Sequence, residues 1–217
     1  MTALQRNQLV WLRDTAWQQL LARDWDAQAH SLLVHWHTHQ LPLVVCRQRV
    51  PESLRNISLG LPAPLQWERR KLALEVAGAA IERVGSFPPL RSVVLSAADA
   101  AQLQDLLLHT DALQVDMQAY GSYGWQQLTG LPCVRAGSDL DLLAQVPDLD
   151  TAGQLVWLLQ GLQLGCRVDG ELVFPGGWAV AWREYAQLIG GKVEQVLLKH
   201  RTGVQLAGMS QLQALRC

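Results

Sequence analysis

The chain has little that would staple an extracellular scaffold or cross a bilayer. Its four cysteines, Cys46, Cys133, Cys166 and Cys217, stand far apart with no CxxC pair. That spacing excludes a dense disulfide framework and a zinc-ribbon site, and fits reduced thiols. No run of eighteen apolar residues occurs, so no membrane span is expected. Residues 1–12 carry a broken apolar pattern with Arg6 and Arg13 around it, without the continuous apolar core and small-residue cleavage site of a signal peptide. Neither sign of charge dominates: 18 basic against 19 acidic residues leave a formal net charge of −1. A generically basic nucleic-acid binder is therefore excluded, though a local basic patch is not. The expectation is a cytoplasmic protein that needs neither membrane nor nucleic acid.

What is present is apolar and rich in tryptophan. Of 217 residues, 49% are hydrophobic and only 17% charged, enough to build a core and too little charge for a disordered chain. Nine tryptophans stand against two phenylalanines and three tyrosines. Lysine is scarce, and the basic charge is carried mostly by arginine, whose planar fork suits phosphate and carboxylate.

Apolar spacing predicts helices over 4–21, 66–84, 97–108, 123–128 and 150–164, with Gly85 capping the second. Strands are expected over 30–48, 57–61, 114–120, 138–145, 167–174 and 178–182, with 93–95 a brief strand or link. Gly85-Ser-Phe-Pro-Pro89 is the natural boundary, because two prolines stop both helix and central strand. The expected architecture is α+β: a mixed sheet with flanking helices over 91–217, preceded by a smaller mixed domain over 1–90.

Chemistry concentrates in Tyr120-Gly-Ser-Tyr-Gly-Trp125 followed by Ser138-Asp-Leu-Asp-Leu142. On a strand, residues two apart share a face, so Asp139 and Asp141 point together. Two such carboxylates repel unless a divalent cation lies between them, and Mg²⁺ or Mn²⁺ accepts oxygen ligands while keeping positions open for phosphate. Gly121-Ser122 at a strand end lets backbone approach a phosphate beside the N–H groups of the next helix. Alone, each pair is commonly a solvated turn. In this order they make a layout for phosphoryl or nucleotidyl transfer. His35, His37 and His39 would share a face if extended, but nothing nearby completes a soft-metal site. Arg47 with Arg49, or Arg69-Arg-Lys71, could meet phosphates or dock a partner, and Arg135 is placed between the two motifs.

The Gly-Ser, short helix and Asp-x-Asp order resembles the DNA polymerase β-type nucleotidyltransferase superfamily, with a longer gap between Ser122 and Asp139. The longer strings are more specific. Tyr120–Pro132, Ser138–Leu143, Arg167-Val-Asp-Gly-Glu-Leu-Val173 and Ala179-Val-Ala-Trp-Arg-Glu184 resemble the phosphoribosyl-dephospho-CoA transferases, as do Leu41–Val45 and Leu59–Pro62. Cys46 departs from the arginine expected before Arg47.

The resemblance implies a donor, 2′-(5″-triphosphoribosyl)-3′-dephospho-CoA, and an acceptor serine on the apo acyl-carrier subunit of malonate decarboxylase, with pyrophosphate released. It implies metal ligation by Asp139 and Asp141 and a third carboxylate on a neighbouring strand. Asp169 is the expected third ligand, with Glu171 and then Glu184 as alternatives. Gly121, Ser122 and Arg135 would contact phosphate, and Lys199 could reach one. Two other readings stay open: a nucleotidyltransferase acting on another protein or small hydroxyl acceptor, and a non-catalytic relative that binds nucleotide or carrier.

Overall fold

A computed structural model describes residues 4–48 and 56–216. The chain opens with β1 (Leu9–Leu12), α1 (Asp14–Leu21), α2 (Ala27–Thr38), β2 (Leu43–Val45), β3 (Asn56–Pro62), β4 (Lys71–Ala77) and β5 (Ile81–Gly85). These strands form an antiparallel sheet in the order β4-β3-β2-β1-β5. Beyond it come α3 (Ala97–Ala112), β6 (Asp116–Tyr120), α4 (Gly121–Thr129), β7 (Leu140–Gln145), α5 (Leu149–Gly161), β8 (Val168–Phe174), β9 (Trp178–Ala181), α6 (Trp182–Ile189), β10 (Val196–Lys199), β11 (Val204–Ala207) and α7 (Met209–Gln213). The second sheet runs β11-β10-β9-β8-β7-β6, and within it β7 and β8 pair in parallel. The expected α+β class holds.

Three expected elements in the first half are corrected. The single helix over 4–21 is β1 followed by α1, because Leu9 to Leu12 form an apolar strand between β2 and β5 and only Ala16, Trp17 and Leu20 follow a helical face. The strand over 30–48 is mostly α2: Asp26 caps it by accepting from Ala29 N at 3.0 Å, and Ala29, Leu32, Leu33 and Trp36 bury one face at spacings of three and four. The histidines therefore do not align. His35 and His39 stack with ring centroids 4.0 Å apart, whereas His37 lies over Trp17. Burial, then the neighbouring His39, holds the His35 imidazole below its ordinary range.

The third correction is the helix over 66–84. Its stripe Leu72, Val76, Ala80 repeats every four residues, a multiple of two, so it fits a strand equally well. The chain takes the strand: Leu72, Leu74 and Val76 are buried while Lys71, Ala73, Glu75 and Ala77 face solvent. Gly85 ends β5 rather than capping a helix, and Val84 is exposed. Smaller shifts follow in the second half. Helix α5 starts at Leu149, capped by Asp148, rather than at 150, and Trp182 starts α6 instead of continuing β9. Arg49 and Cys217 lie outside the described residues.

Each sheet has its own core, but the two are not separate. Trp125 of α4 and Leu143 of β7 pack into the first core, where the Trp125 ring lies 5.5 Å from Phe87 and 6.3 Å from Trp36. Main-chain bonds also cross: Gln48 N donates to Arg201 O at 2.7 Å and Leu65 N to Pro132 O at 3.3 Å. No helix among the described residues is long and apolar enough to cross a membrane.

Candidate active site

The site is built by strand register. β6 pairs antiparallel with β7 so that Tyr120 lies opposite Asp141, and β7 pairs in parallel with β8 so that Asp141 lies opposite Asp169. Tyr120, Asp141 and Asp169 thus form a row across three adjacent strands. Asp139 stands just before β7, on the same approach.

Gly121 turns β6 into α4. Its φ of +59° is left-handed, and a Cβ there would stand 2.0 Å from Asp141 Oδ2. Only glycine brings the helix start this close to the carboxylate. No side chain caps α4, whose first N–H groups begin at Gly121 and Ser122. Trp125, midway along α4, is buried in the first core, so the helix is anchored by packing.

The row is electrostatically crowded. Burial first, then the neighbouring Asp169 and Asp139 carboxylates, push the Asp141 carboxyl up to about 6, against the opposing pull of Arg167. Burial and the carboxylates of Glu171 and Asp141 push the Tyr120 hydroxyl well above its ordinary range, so it stays protonated. Arg167, two residues before Asp169, donates to Asp169 Oδ2 at 2.9 Å and reaches Asp139 Oδ2 at 3.9 Å. Its guanidinium compensates the two outer carboxylates. No three His, Cys, Asp or Glu side chains among the described residues converge as a ready-made metal cluster.

The remaining expected residues fall in different places. Glu171 is buried, opposite Leu143 in register, and accepts from Arg6 and from Lys199 Nζ at 2.9 Å, with Asn7 Nδ2 at 3.5 Å. Its pair with Arg6 ties β8 to the segment before β1, and Lys199, from β10 of the same sheet, is occupied with it. Glu184 lies in the first turn of α6 and accepts from Leu197 N at 3.0 Å, a bond that fastens α6 to β10. Arg135 is exposed in the connection before β7, in a turn closed by Ser138 N donating to Arg135 O at 3.0 Å. Asp169-Gly170 lies inside β8; a Cβ on Gly170 would meet Leu142 O at 2.0 Å. The structure thus gathers Gly121, Ser122, Asp139, Asp141 and Asp169 and leaves Glu184 apart.

A cleft of about 470 Å³ opens between the sheets at this row. Gly121, Ser122 and Asp141 line one wall, and Leu65, Arg69 and Lys71 line the other. A larger, mainly apolar groove of about 1100 Å³, with exposed Trp157 on its rim, shares no lining residue with this cleft. Arg167 escaped the sequence reading, although its spacing of two to Asp169 could have revealed it; Arg69, expected among the residues that could meet phosphate, lies in a turn whose folding the sequence pattern disguised.

Two family models cover most of the chain: the Phosphoribosyl-dephospho-CoA transferase MdcG N-terminal domain matches residues 5–87, and the corresponding C-terminal domain matches 89–210. The chain belongs to the phosphoribosyl-dephospho-CoA transferase family. It is 38% identical to the phosphoribosyl-dephospho-CoA transferase of Xanthomonas euvesicatoria pv. vesicatoria (strain 85-10), over 97% of each chain. It is 37% identical to that of Xanthomonas axonopodis pv. citri (strain 306), over 93% of this chain and 92% of the relative. The relative of the same name from Bradyrhizobium diazoefficiens is 32% identical over 90% of each chain. No solved structure matches. Members of the family are transferases, and the aspartate row and helix start fall within the segment that matches its C-terminal domain.

Proposed function

We propose that this transferase moves the 2′-(5″-phosphoribosyl)-3′-dephospho-CoA group from its triphosphate precursor to a serine of the apo acyl-carrier subunit of malonate decarboxylase, in the cytoplasm. In the step, the serine hydroxyl gives up its proton and its oxygen bonds the α-phosphorus. The bond from that phosphorus to the bridging oxygen breaks, and pyrophosphate leaves. One phosphodiester forms as one phosphoanhydride breaks.

The observation that carries the reading is the left-handed Gly121, which sets the uncapped start of α4 against Asp141 in the same row as Asp169. A phosphate lying there meets backbone N–H donors and the positive end of the helix. Ser122 supplies a hydroxyl on the same wall of the cleft as Gly121 and Asp141.

Asp139, Asp141 and Asp169 are the residues that would hold Mg²⁺ or Mn²⁺. The donor set is all oxygen, and burial first, then the neighbouring Asp169 and Asp139 carboxylates, disfavour the charged form of Asp141, a cost that a cation held there would relieve. Held by these residues, such a cation would supply positive charge to offset that of the triphosphate and of the departing pyrophosphate. Glu171 supports the site through its ion pairs, with Arg6 from the first half of the chain and with Lys199 within its own sheet, rather than by touching substrate.

The test is to incubate the purified chain with the triphosphoribosyl donor, apo carrier and Mg²⁺. The expected result is a carrier heavier by the prosthetic group, with one pyrophosphate per transfer and no transfer in excess EDTA. Modification of the carrier from ATP but not from this donor would overturn the donor assignment.

A further inference from the structure

The wall of the cleft opposite the aspartates is a turn held in an uncommon shape. Between β3 and β4, Glu68 and Arg69 adopt left-handed backbone in succession, with φ of 55° and 58°. Neither is glycine, so the conformation is costly and persists only where its surroundings impose it. Those surroundings are explicit. Ala63 N donates to Arg70 O at 2.8 Å and Arg69 N to Pro64 O at 3.2 Å, closing the turn. Trp67 is buried beneath it. Arg70 forms a two-pronged ion pair with Asp26, one prong at 2.6 Å, and also donates to Gln28. The same Asp26 caps α2, so the turn is fastened to a helix terminus.

With Arg70 fixed to α2, its neighbours Arg69 and Lys71 line the cleft instead. Both are exposed, and neither has an ion-pair partner among the described residues. Glu68 is the one carboxylate this wall contributes, so the wall carries a net positive charge facing Gly121, Ser122 and Asp141. Two unpaired cations within a walled cleft fit a small, multiply charged anion better than the broad face of a protein.

We propose that Arg69 and Lys71 form the polyphosphate clamp of the donor site, holding the departing end of the triphosphate across the cleft from the α4 start. This deepens the donor reading above and rests on it. It also assigns the first sheet a part in catalysis: Arg69 would meet the leaving group by its planar fork, and Arg70 would act only as a positioning residue that keeps the turn in shape.

The probe is inorganic tripolyphosphate, titrated calorimetrically into the full-length chain in Mg²⁺ buffer. Arg69→Ala and Lys71→Ala should each weaken binding by about tenfold or more, with Arg69→Lys recovering part of the loss. Arg70→Gln, which leaves the cleft charges intact, should weaken it by a smaller factor. In turnover, KM for the donor should rise while KM for the carrier holds. Absence of tripolyphosphate binding to the wild type, unchanged binding in the Arg69→Ala, Lys71→Ala double variant, or a rise confined to carrier KM would each overturn the clamp. Wild-type chain that binds tripolyphosphate through this pair but transfers nothing would instead overturn the transfer reading and leave the clamp standing.

Discussion

On the six-stranded sheet the chemistry-bearing side chains sit at adjacent strand ends, where long-range register aligns Tyr120, Asp141 and Asp169. On the five-stranded sheet they sit on one hairpin turn, where local backbone shape and one ion pair aim Arg69 and Lys71. The first arrangement cannot shift by one residue without turning every side chain of β7 to the wrong face. The second can vary residue by residue while its sheet stays intact. The acidic wall is therefore expected to behave as all-or-none, and the basic wall as adjustable.

The hardest way to break that contrast is to disturb the row itself. Asp141→Asn should cut transfer by about a thousandfold or more, since charge at the transferring phosphoryl group is the main catalytic device. Gly121→Ala should do the same by displacing Asp141, because its added methyl has no space beside Oδ2. Circular dichroism should show both variants folded. Either one retaining a tenth of wild-type turnover would end the idea that the row is indispensable.

A second comparison separates chemistry from support within β8. Glu171→Gln leaves Arg6 and Lys199 partly buried beside a neutral amide, and should cost about 1–3 kcal/mol in denaturant unfolding. Asp169→Asn should change the unfolding midpoint little and abolish most transfer. If Glu171→Gln lost turnover at unchanged stability, the two roles would be reversed.

The smallest effect concerns Arg167, which competes for the same carboxylates a cation would use. Its side chain is more than half exposed, so the competition is weak. Arg167→Gln should tighten Mn²⁺ binding by about two- to fivefold, read by titration without donor. Unchanged or weaker binding would show that Arg167 does not restrain the row.

The two walls also differed in how readily they could be read from the chain. In the second half, motifs and elements coincide: β6, α4, β7 and β8 stand within a few residues of their expected places, because Gly, Asp and apolar alternation there point the same way. In the first half they conflict. The four-residue stripe from Leu72 to Val84 satisfies helix and strand alike, and only pairing of β4 with β3 decides between them. The apolar residues of α2 are interrupted by histidines that imitate alternation. The Arg6–Glu171 pair joins residues 165 positions apart, so no local pattern could have announced it. The third carboxylate was open on spacing alone; the structure puts Asp169 level with Asp141 and gives Glu171 two cationic partners.

Helix α4 begins beside Asp141 and carries Trp125 into the core of the other sheet. For inheritance, this means the two halves are not interchangeable parts. A lineage that acquired a new first half by recombination near residue 88 would also lose the socket formed by Trp36 and Phe87. The helix bearing Ser122 would then have to be repacked before any donor could be used. Descendants are thus expected to diversify by substitutions at the basic turn, with both halves transmitted as one unit.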